Sequence, residues 1–395
     1  MILTAAFLIL ALLAAFFACR AAWFLAGLAL FAVLRKPLAP PLARLLSAFA
    51  LACVWASCAA AVVFVSQATA RTPVLTDEEG RVPSDGISEL IAVELNGRKQ
   101  WLSIRGFDAN KPVLLFLAGG PGGSQLAALR HELPALERDF VVVGWDQPGS
   151  AKSYGAVPPE GLTVETYVED GLALTGYLKA RFSKEKIYLM GESWGSALGI
   201  FLIDRNPASY HAFIGTGQMV AFLETERLDY AAAMELAKAA GDGKTVQKLT
   251  DNGPPPYSGK DVTMKSAVYL NYLTAAMNRN PAIHNPGYQT LRDLFSPEYG
   301  IYDKLNFVRG ILSTYNAVYP QLYPVDLRED YTKLNVPVYL FLGRHDLNAP
   351  PALAQQYFDA LEAPEKELLW FEHSGHSPWS NEADMFAQEV LRCFS

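Results

Sequence analysis

Acidic residues are missing altogether from residues 1–70, where the only charges are Arg20, Arg35, Lys36 and Arg44. No ordinary water-facing surface is built that way. Across all 395 residues only 18% are charged, below the roughly 25% of a soluble domain. Cysteine is scarce too. Cys19, Cys53, Cys58 and Cys393 are too few for a disulfide scaffold and lack zinc-ligand spacing. There is no basic excess: 33 Lys and Arg face 40 Asp and Glu, a net charge of −7, which excludes a nucleic-acid binder as the default. Wholesale disorder is excluded by what is plentiful, 51% apolar residues and 12% aromatics.

The apolar residues are unevenly placed. Two blocks, 1–34 and 45–66, carry almost nothing polar. The second is long enough as a helix to cross a hydrocarbon core of roughly 30 Å. The first, interrupted by Arg20, reads as one long tilted helix with Arg20 snorkelling, or as two spans joined by a very tight turn. A cleavable signal peptide would need a basic start, whereas the chain opens Met1-Ile2-Leu3-Thr4. Residues 1–70 are therefore expected to be a membrane-spanning leader that stays in the bilayer. By the positive-inside rule, Arg35, Lys36 and Arg44 put the loop between the blocks in the cytoplasm. The expected location is a bacterial cytoplasmic membrane with the remainder on the extracytoplasmic side. That remainder, with 29 basic and 40 acidic residues, is acidic and not itself lipid-seeking.

From residue 87 the pattern alternates. Ile87–Leu95 and Gln100–Ile104 read as a hairpin around Asn96-Gly97. PVLLFLA (112–118), FVVVGW (140–145), KIYLM (186–190), 212–214, PVYLFL (337–342) and ELLWF (367–371) are short apolar runs, the mark of strands buried on both faces. Helical segments lie between them at 164–181, 194–205, 352–361 and 383–392. Strand–helix alternation predicts a mostly parallel sheet covered on both sides, an α/β fold. The alternation breaks at 218–330, which reads as helices, including 221–240 and 262–279, forming a cap. The expected organisation is a leader over 1–70, a core over 71–217 and 331–395, and a helical cap over 218–330.

Gly191-Glu192-Ser193-Trp194-Gly195 fits G-x-S-x-G and stands between a predicted strand and a predicted helix, the setting of a nucleophile elbow. A structural glycine-rich turn is the plainer alternative. A serine hydroxyl needs a base. Of six histidines, His376 follows the last predicted strand, where a base can reach the serine. A carboxylate must hold the imidazole's tautomer, and Asp346 follows the strand PVYLFL. The order Ser193, Asp346, His376 is that of α/β-hydrolases. The oxyanion of an acyl-transfer intermediate needs backbone donors. These are expected from Trp194 N–H and from the glycine loop 119–124, which lacks the Lys-Ser/Thr ending of a phosphate loop.

These pieces resemble the proline iminopeptidase-like branch of the α/β-hydrolases. The resemblance rests on Gly119–Gly123 (GGPGG), Asp146-Gln147-Pro148-Gly149 with Ser153, Gly191–Ser196, Gly343–Asp346 and Gly375-His376-Ser377. It covers residues 110–380 and not the leader. It implies catalysis by Ser193, His376 and Asp346, an oxyanion hole from Trp194 and Gly120, and release of an N-terminal residue, often proline, from short peptides. It also implies cap carboxylates holding the substrate's amino group, for which Glu224 and Glu226 are the candidates. Solvated helix charges are the alternative for those two. The chain departs from the branch at Ala118, Ala151 and Glu192.

The sequence thus predicts a membrane-anchored serine hydrolase acting on a small peptide or ester, with no metal or organic cofactor, the lipid bilayer as partner of residues 1–70, and no nucleic acid. An esterase or lipase using the same residues is the first alternative. A non-catalytic domain on a hydrolase scaffold is the second.

Overall fold

A computed structural model of the chain describes residues 2–285 and 287–394. Met1 and Ser395, the outer bounds of the expected leader and core, lie outside the described residues, as does Pro286 of the expected cap. The chain divides into two compact units, one formed by the leader with Tyr299–Lys304, the other by the rest.

In the first unit, α1 (Ile2–Val33) is a single helix that passes uninterrupted through Arg20. Of the two forms expected for the first block, the tight turn does not occur. No glycine or proline stands near Arg20 to break the helix, and its guanidinium lies 5.6–5.9 Å from the ring centroids of Phe16, Phe17 and Phe24. Helix α2 (Ala39–Ala68) starts earlier than the charge-free run, because Pro40 and Pro41 fit a first turn whose N–H groups have no acceptor anyway. Both helices have the length and apolar composition to cross a membrane.

In the second unit eight strands form one sheet in the order β1-β2-β4-β3-β5-β6-β7-β8. β1 (Ile87–Leu95) and β2 (Arg98–Gly106) are the expected hairpin, closed by Asn96 and Gly97 at φ 49° and 74°, the left-handed pair this tight turn demands. β2 meets β4 (Val141–Asp146) antiparallel; every pairing beyond it is parallel, through β3 (Val113–Leu117), β5 (Ile187–Glu192), β6 (Tyr210–Thr216), β7 (Val338–Gly343) and β8 (Lys366–Phe371). The unbroken apolar runs are explained by the two cores. Along β3, Val113, Leu115 and Leu117 enter one core, and Leu114 and Phe116 enter the other. Helices α3 (Leu126–Glu132), α4 (Val164–Arg181) and α5 (Trp194–Arg205) follow β3, β4 and β5.

Between β6 and β7 the chain is helical. It runs through α6 (Phe222–Ala239), α7 (Gly243–Asn252), α8 (Val262–Asn278), α9 (Thr290–Leu294) and α10 (Ile301–Arg309). A π-helical turn, Gly310–Thr314, then leads directly into the helix Tyr315–Val318. A smaller core of Ala233, Leu249, Tyr257, Val262, Tyr269 and Leu273 holds α6, α7 and α8 together.

Candidate active site

The C-terminal ends of the parallel strands carry the candidate site residues, as expected for an open α/β sheet. Ser193 follows β5 at φ 54°, ψ −123°, a conformation that side-chain-bearing residues rarely adopt. Its flanking glycines are dictated by sterics. A Cβ on Gly191 would stand 2.2 Å from the Gly195 carbonyl oxygen, and one on Gly195 would stand 2.1 Å from that of Leu117. The turn therefore closes only with hydrogen at both positions, and it lifts Ser193 above the sheet. Trp194 is the first residue of α5, where a backbone N–H has no acceptor within the helix.

Asp346 leaves the end of β7 and His376 the end of β8. His376 Nδ1 lies 2.9 Å from Asp346 Oδ2. Asp346 is itself fixed, because its Oδ1 accepts the N–H groups of Asn348 at 2.7 Å and Ala349 at 2.9 Å. Burial works to lower the imidazole's pKa; the Asp346 carboxylate, helped by Glu192, outweighs it and raises it to about 9. Gly217 lies against the ring: a Cβ there would come within 3.0 Å of His376 Cε1.

Ser193, His376, Trp194 and Gly120 line one cavity of about 130 Å³. No hydrogen bond joins the Ser193 hydroxyl to His376 in this structure. Unliganded sites often leave that contact loose. The glycine loop after β3 is tied down from behind. Gly119 N–H donates to Gln125 Oε1 at 3.1 Å, and Gln147 donates to the Ala118 carbonyl at 3.1 Å while accepting the Trp194 indole N–H at 2.9 Å. Asp146 accepts from Ser124 Oγ and, at 2.9 Å, from Lys152 N–H.

Glu192, which the sequence marks only as a departure, is the buried junction of these loops. It accepts hydrogen bonds from Gln125 in the glycine loop, from Ser377 at 2.5 Å and from the Trp379 indole at 2.9 Å, both next to His376.

Met219 and the helices that follow it contribute Phe222, Glu226, Leu270, Tyr315 and Tyr319 to the cavity wall. Glu226 is 1% exposed and accepts from Tyr319 Oη at 2.8 Å, Ser266 Oγ at 3.3 Å and Tyr269 Oη. Burial raises its pKa. Glu224 is not brought to the cavity. Two residues apart on a helix is about 200° of rotation, so its carboxylate faces outward and pairs with Arg328 at 2.5 Å. In its place the structure offers Asp229, three residues beyond Glu226 and on the same face. Asp229 is 1% exposed, and neither of its carboxylate oxygens has a hydrogen-bond partner among the described residues. Burial first, then the charges of Glu226 and Asp346, push its pKa well above the ordinary carboxylate value. Asn348, on the cavity wall, likewise has an unsatisfied buried Oδ1. Helical spacing from Glu226 puts Asp229 on the same face, but the sequence alone does not say that this face is buried. The cavity wall contains no lysine or arginine.

Four of the five remaining histidines have structural company. His373 stacks on His284 with centroids 3.8 Å apart, His131 sits 2.7 Å from Asp293, and His211 stacks on Tyr188. Among the described residues no group of three or more His, Cys, Asp or Glu side chains could hold a metal ion.

Comparison with known proteins finds the same fold. The sequence pattern of the family described as alpha/beta hydrolase fold matches residues 112–382. The chain is 32% identical over 305 residues to a protein named probable aminopeptidase YbaC from Bacillus subtilis (strain 168), covering 76% of this chain and 94% of that one. It is 24% identical over 316 residues to a proline iminopeptidase from Lactobacillus crispatus, covering 75% and 94%. A solved structure of a proline iminopeptidase-related protein from Thermus thermophilus superposes with a TM-score of 0.52 at 22% identity, over 77% of this chain and 96% of that one.

Proposed function

This chain belongs to the α/β-hydrolase fold family, and within it we propose a membrane-anchored serine aminopeptidase that removes one residue, of the proline type, from the amino terminus of a peptide. The anchoring is supported by α1 and α2, and the peptidase reading by the relatives' names. The observation that carries the substrate is the make-up of the small cavity beside Ser193. It is acceptor-rich, with Glu226 and Asn348 on its wall and Asp229 alongside, and no lysine or arginine lines it. A buried carboxylate without a donor is costly, and an ammonium group satisfies it. A volume of about 130 Å³ suits a single residue better than a long acyl chain.

In this reading Ser193 Oγ attacks the carbonyl carbon of the substrate's first residue, and its proton passes to His376 Nε2. Asp346 keeps the other ring nitrogen protonated and stabilises the imidazolium. The N–H groups of Trp194 and Gly120 take the oxyanion. As the intermediate collapses, the C–N bond breaks and His376 gives its proton to the leaving amine. Water then repeats the sequence: His376 takes its proton, the C–O bond of the acyl-enzyme breaks, and Ser193 regains its hydrogen. Glu226 and Asp229 hold the substrate's ammonium group, so a chain with a blocked amino terminus is refused.

The test is turnover of proline arylamides against N-acetylated arylamides and short acyl esters, with Ser193→Ala as control. Cleavage of the free-amine arylamide is expected, with none of the N-acetylated one and only slow hydrolysis of the esters. Ester cleavage without arylamide cleavage would reject the peptidase in favour of an esterase. A wild-type chain that a fluorophosphonate probe labels no better than Ser193→Ala would reject catalysis altogether.

A further inference from the structure

Among the described residues outside the leader, 13 large apolar side chains are exposed, and seven of them fall within 22 residues: Leu291, Phe295, Tyr302, Leu305, Val308, Ile311 and Leu312. Such crowding marks an interaction surface. Helix α10 is moreover inside out. Asp303 and Asn306 are each 4% exposed, whereas Tyr302, Leu305 and Val308 are 49%, 48% and 48% exposed. A helix at a water boundary has the reverse pattern. The spacing 302, 305, 308, 312 makes the exposed residues one continuous stripe.

What lies against this stripe is indicated by the chain's own connections. The last turn of α2 is hydrogen-bonded to the first turn of α10: Ile301 N–H donates to Ser66 Oγ at 3.0 Å, and Gln67 Nε2 donates to Asp303 Oδ1 at 2.9 Å. The buried polar residue of α10 is thus spent on the end of the apolar helix. Three residues beyond the end of α2, Arg71 N–H donates to the Pro297 carbonyl at 3.0 Å. Residues 69–71 span about 10 Å at most. Wherever α2 leaves a bilayer, α10 begins at that level.

We propose that the outward stripe of α10 and its continuation, Tyr302, Leu305, Val308 and Leu312, is a membrane-docking face that lies in the interfacial layer of the bilayer in which α2 is anchored. It rests on the membrane-anchored reading above and adds a second, peripheral contact to it. The opposite face of the same helical run serves the catalytic site. A Cβ on Gly122 would stand 2.3 Å from the Gly310 carbonyl oxygen, Thr314 Oγ1 donates to the Gly149 carbonyl at 2.9 Å, and Tyr315 and Tyr319 line the cavity. One helical run therefore has lipid on one side and the glycine loop of the active site on the other. π-helical turns such as Gly310–Thr314 recur at functional sites.

The experiment uses the full chain in vesicles of phosphatidylcholine and phosphatidylglycerol, with Cys19, Cys53, Cys58 and Cys393 replaced by alanine and arylamide activity retained. An environment-sensitive fluorophore is attached through Leu305→Cys or, as control, Met264→Cys, which is also exposed but lies on α8. Expected is a blue-shifted emission at 305, quenched at least twofold by nitroxide-labelled lipids, with water-like, unquenched emission at 264. A chain that floats with the vesicles but gives the same water-like signal at both positions overturns the docking face and leaves the anchor standing. Cross-linked dimers through residue 305 without lipid quenching assign the stripe to a second copy and overturn it too. A chain that does not float with vesicles overturns both readings.

Discussion

The indole N–H of Trp379 donates to Glu192 Oε1 at 2.9 Å, so the residue before Ser193 is fastened to the loop that carries His376. The same carboxylate holds Ser377 and Gln125, and Gln125 in turn holds Gly119. The flanks of Ser193 and His376 and the glycine loop share one buried junction.

Glu192→Gln keeps the shape but replaces two acceptor positions by one acceptor and one donor. We expect kcat to fall about tenfold or more with KM changed little, since a lost charge-assisted hydrogen bond costs about 1.5–3 kcal/mol. Because the Glu192 charge helps raise the pKa of His376, the acid limb of the kcat/KM profile should also move to lower pH. A pH profile that stays in place would leave Glu192 with a purely structural part.

His376 must be neutral to accept a proton. With its pKa raised to about 9 in the unliganded protein, kcat/KM should climb through neutral pH, reach half its maximum near pH 9 and level off above it. Asp346→Asn removes the main raising influence, so the limb should shift toward the ordinary histidine value while kcat falls about 10⁴-fold. The linked stability has the opposite sense. The pair stabilises the fold fully below the unfolded histidine's pKa of 6.5 and loses that contribution as pH rises toward 9. Thermal melts from pH 6 to 10 on wild type and Asp346→Asn measure it.

Glu226→Gln and Asp229→Asn should raise KM for free-amine arylamides about 10- to 100-fold, the worth of one or two charge-assisted contacts, and leave ester hydrolysis nearly unchanged. Glu224→Gln, whose carboxylate pairs outward with Arg328, should leave both activities within a factor of two. Equal losses on amines and esters would place Glu226 and Asp229 in structural support instead.

Burial and two neighbouring carboxylates oppose the ionisation of Asp229, and a cation bound beside it would favour it. Binding prolinamide at pH 7 should therefore release protons. Calorimetry in buffers of different ionisation enthalpy reads the number directly, and Asp229→Asn should release fewer. Buffer-independent heats would remove Asp229 from the ammonium site.

Gly217→Ala places a methyl group within 3.0 Å of His376 Cε1 and 2.7 Å of its carbonyl oxygen, on a backbone at φ 51°. Both the crowding and the left-handed conformation oppose it. Expected are a kcat loss of about 100-fold and fluorophosphonate labelling slowed in proportion, with the protein still folded by circular dichroism.

Much of this was readable from residue order alone, for identifiable reasons. Continuous apolar runs such as PVLLFLA need two covered faces, and Asn96-Gly97 admits one kind of turn, so strands and hairpin fell where expected. Ser193, Asp346 and His376 were legible because each follows a strand. Asp229 was not, because nothing local separates a solvated helical aspartate from a buried one; only the packing of α6 against α8 decides it. Glu224 and Glu226 looked alike for the same reason. The stripe on α10 was hidden because a mixed apolar and polar helix does not reveal which side faces inward, and here Asp303 and Asn306 take the inside.

Thr69 and Ala70 are the only residues between the end of α2 and Arg71, and under the proposed anchoring they would bear on substrate capture. With α2 in a bilayer, so brief a leash leaves the enzyme no freedom to roam the aqueous phase, and encounter becomes a problem of surface density rather than bulk molarity. Peptides that skim the lipid would be harvested at many times the frequency of identical ones in solution.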